Sequence, residues 1–258
     1  MALRICLVTP FSWSKPHDVN EHVAGAAGAL RDLGHVVSVL APSNRAADLL
    51  AGRRALQDGI AGDVIALGPA VPISRRSRIG IPVGVRANLS LALTRGDFDV
   101  VHGFEPGLPS LSYLALRDAR SLAVATFFSA DRLGYPPGRT QRNRLLGRID
   151  ALLATSALAA EAAEARFPGE YRSISLGVDT ELFSAGAKGK LVVCEWRPGE
   201  RPLTRAVVSV LKELPDWELI LLRTKRLSGR PSIPQSLRGR VHVRTALSGP
   251  ARGGTKTG

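Results

Sequence analysis

The sequence predicts an α/β protein built on a doubly wound parallel sheet. Short apolar runs alternate with longer helical runs along most of the chain. The apolar runs are nearly continuous rather than alternating, as strands covered by helices on both faces require. The first run passes through a loop straight into a helix, the opening unit of such sheets.

Residues 3–9 are the first expected strand and 19–33 the first helix, ended by Gly34 as a C′ residue. "HVVSVLAP" (35–42) is the second strand. A glycine- and arginine-bearing stretch without an assigned element then leads to short strands at 64–67 and 70–73. A helix falls within 83–94, a strand at "FDVVHGF" (98–104), a helix at 109–117 and a strand at "SLAVATFF" (121–128). A basic helix (141–148), a strand (151–155), a helix (157–167) and a strand (171–174) complete the first domain, placed at 1–180.

"SLGVDTELFSAGAKGK" (175–190) reads as a linker, after which the pattern restarts. Strands at 191–194, 217–222 and 240–244 surround a helix at 203–214. They make up about half of a second domain of the same kind, placed at 188–245, where a whole one takes over about a hundred residues. The stretch 246–258 lacks hydrophobic periodicity and is expected to be disordered. A natural short form and a truncated or frame-shifted C-terminus both fit that ending.

No apolar run reaches the roughly 18–20 residues of a membrane helix, and residues 1–10 are too short and strand-like for a signal peptide. Cys6 and Cys194 stand far apart in apolar runs without CxxC spacing, as core thiols of a cytoplasmic protein do. The net charge of +13 sits largely at one end: residues 219–258 hold nine of the 35 basic side chains and none of the 22 acidic ones. No aromatic residue follows Trp217, so this is not the basic surface with interleaved aromatics that binds nucleic acid, and no nucleic-acid partner is expected.

Four segments then occur in a telling order: "TPFSWSKPHDVNEHVAGAAGALRDLGHVVSVLAP", "GDFDVVHGFEPGLPSLSYLAL", "VATFFSA" and "ISLGVDTELF". Together they resemble the N-terminal domain of the family-4 retaining glycosyltransferases of GT-B fold, most of all the bacterial phosphatidylinositol mannosyltransferases. The resemblance is strong over residues 1 to about 185 and weak over 188–245. It implies a Rossmann-like N-terminal domain that holds the acceptor, and a second, here incomplete, Rossmann-like domain that holds most of the nucleotide sugar. It implies transfer of a hexose, mannose in the nearest relatives, from a nucleotide sugar to a lipid or small polar acceptor with retention. No metal or other cofactor is implied, so protein cations and helix N-termini must neutralise the leaving diphosphate.

Several positions that face ligands in the family differ here. The Gly-Gly pair of the first loop, which touches the diphosphate, falls on His17 and Asp18. The histidine of the "FH" motif falls on Phe128. The second histidine of an H-x-H strand end falls on Phe104, while His102 is retained. The Arg/Lys grip opening the second domain falls on "EWRPGERP", where Arg197 and Arg201 stand in after a small register shift. The Glu-x7-Glu pair has no counterpart, since no two glutamates lie eight apart. By family position Phe11, Asn20 and Ser129 belong to the acceptor side.

Asp18-Val19-Asn20-Glu21 has the D-x-x-E form of a capping box, with Asp18 accepting from first-turn amides and Glu21 reaching back. Those amides are the donors that a glycine loop leaves free for phosphate. Unit charges of like sign 4 Å apart repel by about 4 kcal/mol at an effective dielectric near 20. The reading is therefore a site closed to phosphate, against an ordinary N-cap that the donor never meets. His102 and Glu105 lie at the end of a parallel strand, where ligands bind in open sheets; a hydrogen-bonded histidine and a solvated glutamate are the plainer alternative. His22 faces the cleft in the family register or serves packing, and His35 after Gly34 reads as structural. Arg75, Arg76 and Arg78 form either a solvated loop or a contact for anionic lipid headgroups at the inner membrane face. Two function classes stay open: a hexosyl transferase, with catalytic residues unassigned, and a non-catalytic binding or regulatory homologue.

Overall fold

The computed structural model describes residues 1–15, 17–60, 64–72, 80–82, 84–177, 189–196, 201–223 and 232–245. The linker segment 178–188, the arginine triplet at 75–78, Arg197 and the tail 246–258 lie outside the described residues. The chain divides into two compact units, Met1–Gly177 and Val178–Gly258.

Unit 1 is a seven-stranded sheet. Its strands are β1 (Arg4–Val8), β2 (Val36–Ala41), β3 (Val64–Ala66), β6 (Val100–Phe104), β7 (Leu122–Phe127), β8 (Ala151–Ala154) and β9 (Tyr171–Ser173), in the order β3-β2-β1-β6-β7-β8-β9. All its ladders are parallel. A short antiparallel hairpin, β4 (Ala70–Pro72) with β5 (Gly80–Pro82), stands apart. The helices are α1 (Asp18–Asp32), α2 (Ala46–Gln57), α3 (Arg86–Gly96), α4 (Leu111–Asp118), α5 (Arg139–Leu146) and α6 (Ala157–Glu164). The order confirms a doubly wound parallel sheet, with the winding reversed between β1 and β6.

The two faces of the sheet carry separate cores. Val19, Val23 and Ala27 of α1 pack with Ile5, Leu7, Val37, Val39 and Phe104 on one face. Helices α2 to α6 enclose the larger core on the other face, around Cys6, Val8, Leu40, Leu116 and Phe127. Successive residues of β1 enter opposite cores, which explains why the strand reads as an unbroken apolar run. Cys6 is fully buried, as expected of a core thiol, and burial pushes its thiol well above the usual range.

Helix α2 corrects the sequence reading, which assigned no element there. "AADLLAGRRALQ" has no side-chain N-cap and a glycine at mid-helix, so local signals are weak. Gly52 faces β3 so closely that an added Cβ would overlap the backbone of Ala66. The helix exists because it packs there, a tertiary cause invisible in propensity.

Unit 2 is a three-stranded parallel sheet, β10 (Leu191–Trp196), β11 (Glu218–Arg223) and β12 (Val241–Thr245), with α7 (Arg201–Glu213). Its core is Val208, Leu211, Leu219, Leu221, Leu237 and Val241. Among the described residues, no helix in either unit is long and apolar enough to cross a membrane.

Phe127 joins β7 to the turn after α6 and to β9 through ring contacts with Phe167 and Tyr171. Phe127→Ala is expected to lower the unfolding free energy by about 3–5 kcal/mol. The exposed Leu158→Ala on α6 should stay within about 0.5 kcal/mol. Urea unfolding of both variants checks this.

Candidate functional site

The carboxyl ends of β1, β6 and β7 share one edge of the unit 1 sheet, and the turn from β1 to β6 is its switch point. Open α/β sheets bind ligands there. Three loops meet at this edge: residues 9–17 after β1, 105–110 after β6 and 128–138 after β7.

The first loop is pinned from below. Buried Asn20 lies 2.5 Å from the Thr9 hydroxyl, which donates to its Oδ1, and its amide donates to the Ser12 carbonyl at 3.1 Å. Phe11 is buried and stacks flat on the His17 ring, with centroids 3.4 Å apart. Phe11 and Asn20 are thus built into the loop's foundation.

The helix cap falls one residue earlier than the capping-box reading placed it. His17, not Asp18, is the N-cap of α1. Its backbone is extended, and its Nδ1 lies 3.2 Å from the Val19 amide and 2.6 Å from Asp18 Oδ1. One ring nitrogen cannot accept from the first and donate to the second at once. The shorter, charge-assisted contact holds when Nδ1 carries a proton, and the Val19 amide then also faces the Asp18 carboxylate. Either way, the side chains of residues 17 and 18 occupy the Val19 amide in the first turn of α1. The stack on Phe11 selects His17 for the cap, and Asp18 becomes the first helical residue, with its side chain largely exposed.

Arg132 closes the arrangement from the third loop. Its guanidinium lies 3.9 Å from Asp18 Oδ2, 3.6 Å from Glu105 Oε1 and 5.1 Å from the centre of the Phe11 ring. Gly107 lets this loop approach: an added Cβ there would overlap the Arg132 carbonyl oxygen, and the Tyr135 amide donates to the Gly107 carbonyl. Hydrogen bonds from His17, followed by the charges of His17 and Arg132, hold the Asp18 carboxyl well below the usual carboxylate range despite its partial burial.

Glu105 is fully buried and left-handed at φ 52°, unusual for a residue with a side chain. Its Oε1 accepts from the Phe128 amide at 2.8 Å. Its Oε2 and Arg132 Nη1 are buried without a hydrogen-bond partner among the described residues. Burial pushes the Glu105 carboxyl up to about 7, against the opposing pull of Arg132. Of the two sequence readings of Glu105, a strand-end site residue and a solvated glutamate, the solvated one is wrong, because the side chain is fully buried.

Beside it, His102 stacks on Phe104 at 4.3 Å and shares a 2.7 Å hydrogen bond with the Thr126 hydroxyl. Burial, with His22 nearby, pushes its imidazole down to about 3, so it is neutral at pH 7. His22 meets the rings of Phe104 and Phe128 edge-on at 6.0 and 5.4 Å, and burial lowers its imidazole as well. Ser129 caps one 3-10 turn, Ala130–Arg132, accepting from the Asp131 amide. Phe11, His17, Asp18, Asn20, His22, His102, Glu105 and Ser129 all lie on these three loops and the strand and helix ends beside them. Arg197 is outside the described residues, and Arg201 opens α7 in unit 2. Sequence reasoning missed Arg132, since nothing in "SADRLG" tells it from any loop arginine.

Residues 19–182 match the model of Glycosyltransferase Family 4. The chain belongs to glycosyltransferase family 4. It is 31% identical over 208 residues to the phosphatidyl-myo-inositol mannosyltransferase of Propionibacterium freudenreichii, covering 78% of this chain and 52% of that protein. It is 32% identical over 241 residues to the Mycobacterium tuberculosis protein of the same name, covering 85% of this chain and 60% of the relative. The chain therefore spans little more than half the length of these curated relatives. The Staphylococcus aureus MnaA–UDP co-structure superposes with a TM-score of 0.56 at 12% identity, over 95% of this chain and 69% of that one. The Streptomyces nogalater glycosyltransferase SnogD superposes at 0.53 with 16% identity, over 96% and 73%. These likenesses show the fold: GT-B-like, with Rossmann-like units.

Within family 4, this member holds the first turn of α1 with its own side chains, and the buried Glu105 gives that edge a pH signature. A carboxyl whose folded pKa is raised contributes full stability below its unfolded pKa, lost as pH rises through the folded value. Between about pH 4.5 and 7, wild type should lose roughly 2–3 kcal/mol relative to Glu105→Gln. The histidines and Asp18 act in other directions and largely cancel in that difference. Urea unfolding at several pH values measures it; a gap between the two proteins that does not change with pH contradicts the assignment.

Proposed function

We propose that this chain serves hexosyl transfer: a hexose, mannose by kinship, passes from a nucleotide sugar to a lipid or small polar acceptor with retention. The observation that carries this reading is the 31–32% identity to phosphatidyl-myo-inositol mannosyltransferases. An inositol-bearing acceptor suits that edge. The ring of Phe128 meets His22 edge-on there, and both side chains are only partly buried. Donor binding falls mainly to the rest of the nucleotide site, with Arg197 and Arg201 as the diphosphate ligands of this reading. The transfer needs no metal, and its place is the cytoplasm at the inner membrane face.

A second reading, a non-catalytic binding homologue, is favoured by one observation: the side chains of His17 and Asp18 occupy the Val19 amide, one of the first-turn donors that a glycine loop leaves to the diphosphate. The two readings share an acceptor and differ in turnover. Transfer of labelled mannose from GDP-mannose to phosphatidylinositol vesicles, with and without EDTA, separates them. The transferase reading expects EDTA-insensitive product with a weakly held donor, at a KM near millimolar. Binding of the vesicles without product selects the second reading, and neither binding nor product refutes both.

A further inference from the structure

We propose that a cavity at the opposite end of the unit 1 sheet binds a ligand carrying a multiply charged phosphate group, a phosphomonoester or a polyphosphate. The cavity is about 830 Å³, within the usual range for small-molecule sites. It lies between the connections that lead into β7 and β8, at the amino ends of those strands, away from the switch-point edge. Arg117, Arg120, Arg144 and Arg148 line it, with Tyr113 and a single lining carboxylate, Asp150.

The carboxylates nearby are already committed. Asp150 accepts from the Ala123 amide at 2.8 Å, anchoring the start of β7. Asp118, just outside, forms a two-pronged pair with Arg117 at 2.7 and 2.8 Å, while Arg86 and Arg148 add their charge at longer range. Arg120, Arg144 and Arg148 make no side-chain hydrogen bond or ion pair among the described residues and are exposed. Three uncommitted guanidiniums therefore converge on one concavity from two separate connections.

Cations in the last turn of a helix are commonly explained by the helix dipole. That accounts for Arg117 on α4 and Arg144 on α5. It does not account for Arg120 and Arg148, which lie past the helix ends and face the same space. Planar guanidiniums pair bidentately with phosphate oxygens, and a group of three selects a multiply charged anion over a single carboxylate. A free polyphosphate and a phosphomonoester lipid headgroup share this chemistry.

The test is calorimetric titration of the full chain with sodium pyrophosphate, beside sedimentation with phosphatidylcholine vesicles containing phosphatidic acid. Saturable pyrophosphate binding is expected. Arg120→Ala/Arg144→Ala/Arg148→Ala should weaken it at least about tenfold, and Arg148→Ala alone at least about threefold. Arg139→Ala removes an equal charge from exposed α5 outside the cavity and should change it less than about twofold. Vesicle binding that pyrophosphate displaces marks the headgroup as the source; pyrophosphate binding without vesicle binding marks a free ligand. Absence of saturable binding below roughly 5 mM, or equal losses in Arg139→Ala and the triple variant, overturns the site.

Discussion

Among the described residues, the guanidinium of Arg132 is the charge that ties together all three loops at the carboxyl edge of the unit 1 sheet. It reaches Asp18 at the start of α1, Glu105 after β6 and the ring of Phe11 in the first loop. Of these groups, Glu105 would be costly alone in its setting. A fully buried carboxyl needs a partner or a proton, and Glu105 has a distant cation together with a raised tendency to stay protonated. The geometry of Phe11 and His17 follows from the same constraint, since the ring that supports Arg132 on one side carries the cap of α1 on the other.

This arrangement gives the first helix a different role from that of a phosphate-binding loop. With glycines in the loop, first-turn amides point into open space and take an anion. Here an aromatic stack, an imidazole and a carboxylate fill that space, and Arg132 partly neutralises the added charge. The edge keeps a polar and aromatic character suited to a hydroxylated ring, while its appeal to a diphosphate falls. Both functional readings turn on how this filled first turn meets an anion.

Much of the fold was legible because β1, β2 and β6 contribute to the cores on both faces, which writes itself into the sequence as unbroken apolar runs. Helix α2 was not, because Gly52 serves a contact with β3 and weakens every local helix signal. His17 and Asp18 were readable as an unusual pair, yet the choice of cap between them depends on Phe11, a stacking partner outside any helix motif. The pairing of Arg132 with residues 27 and 114 positions away belongs to topology alone. The burial of Glu105 was hidden for the same reason, since a glutamate before a proline reads as solvated until its neighbours are placed.

The chain's own side chains hold the first turn of α1 against an anion. Calorimetric titration of GDP into the wild type and into His17→Gly/Asp18→Gly tests it most directly. The account predicts a dissociation constant near millimolar for the wild type and at least about tenfold tighter binding for the double variant. Low-micromolar binding of GDP by the wild type would contradict it.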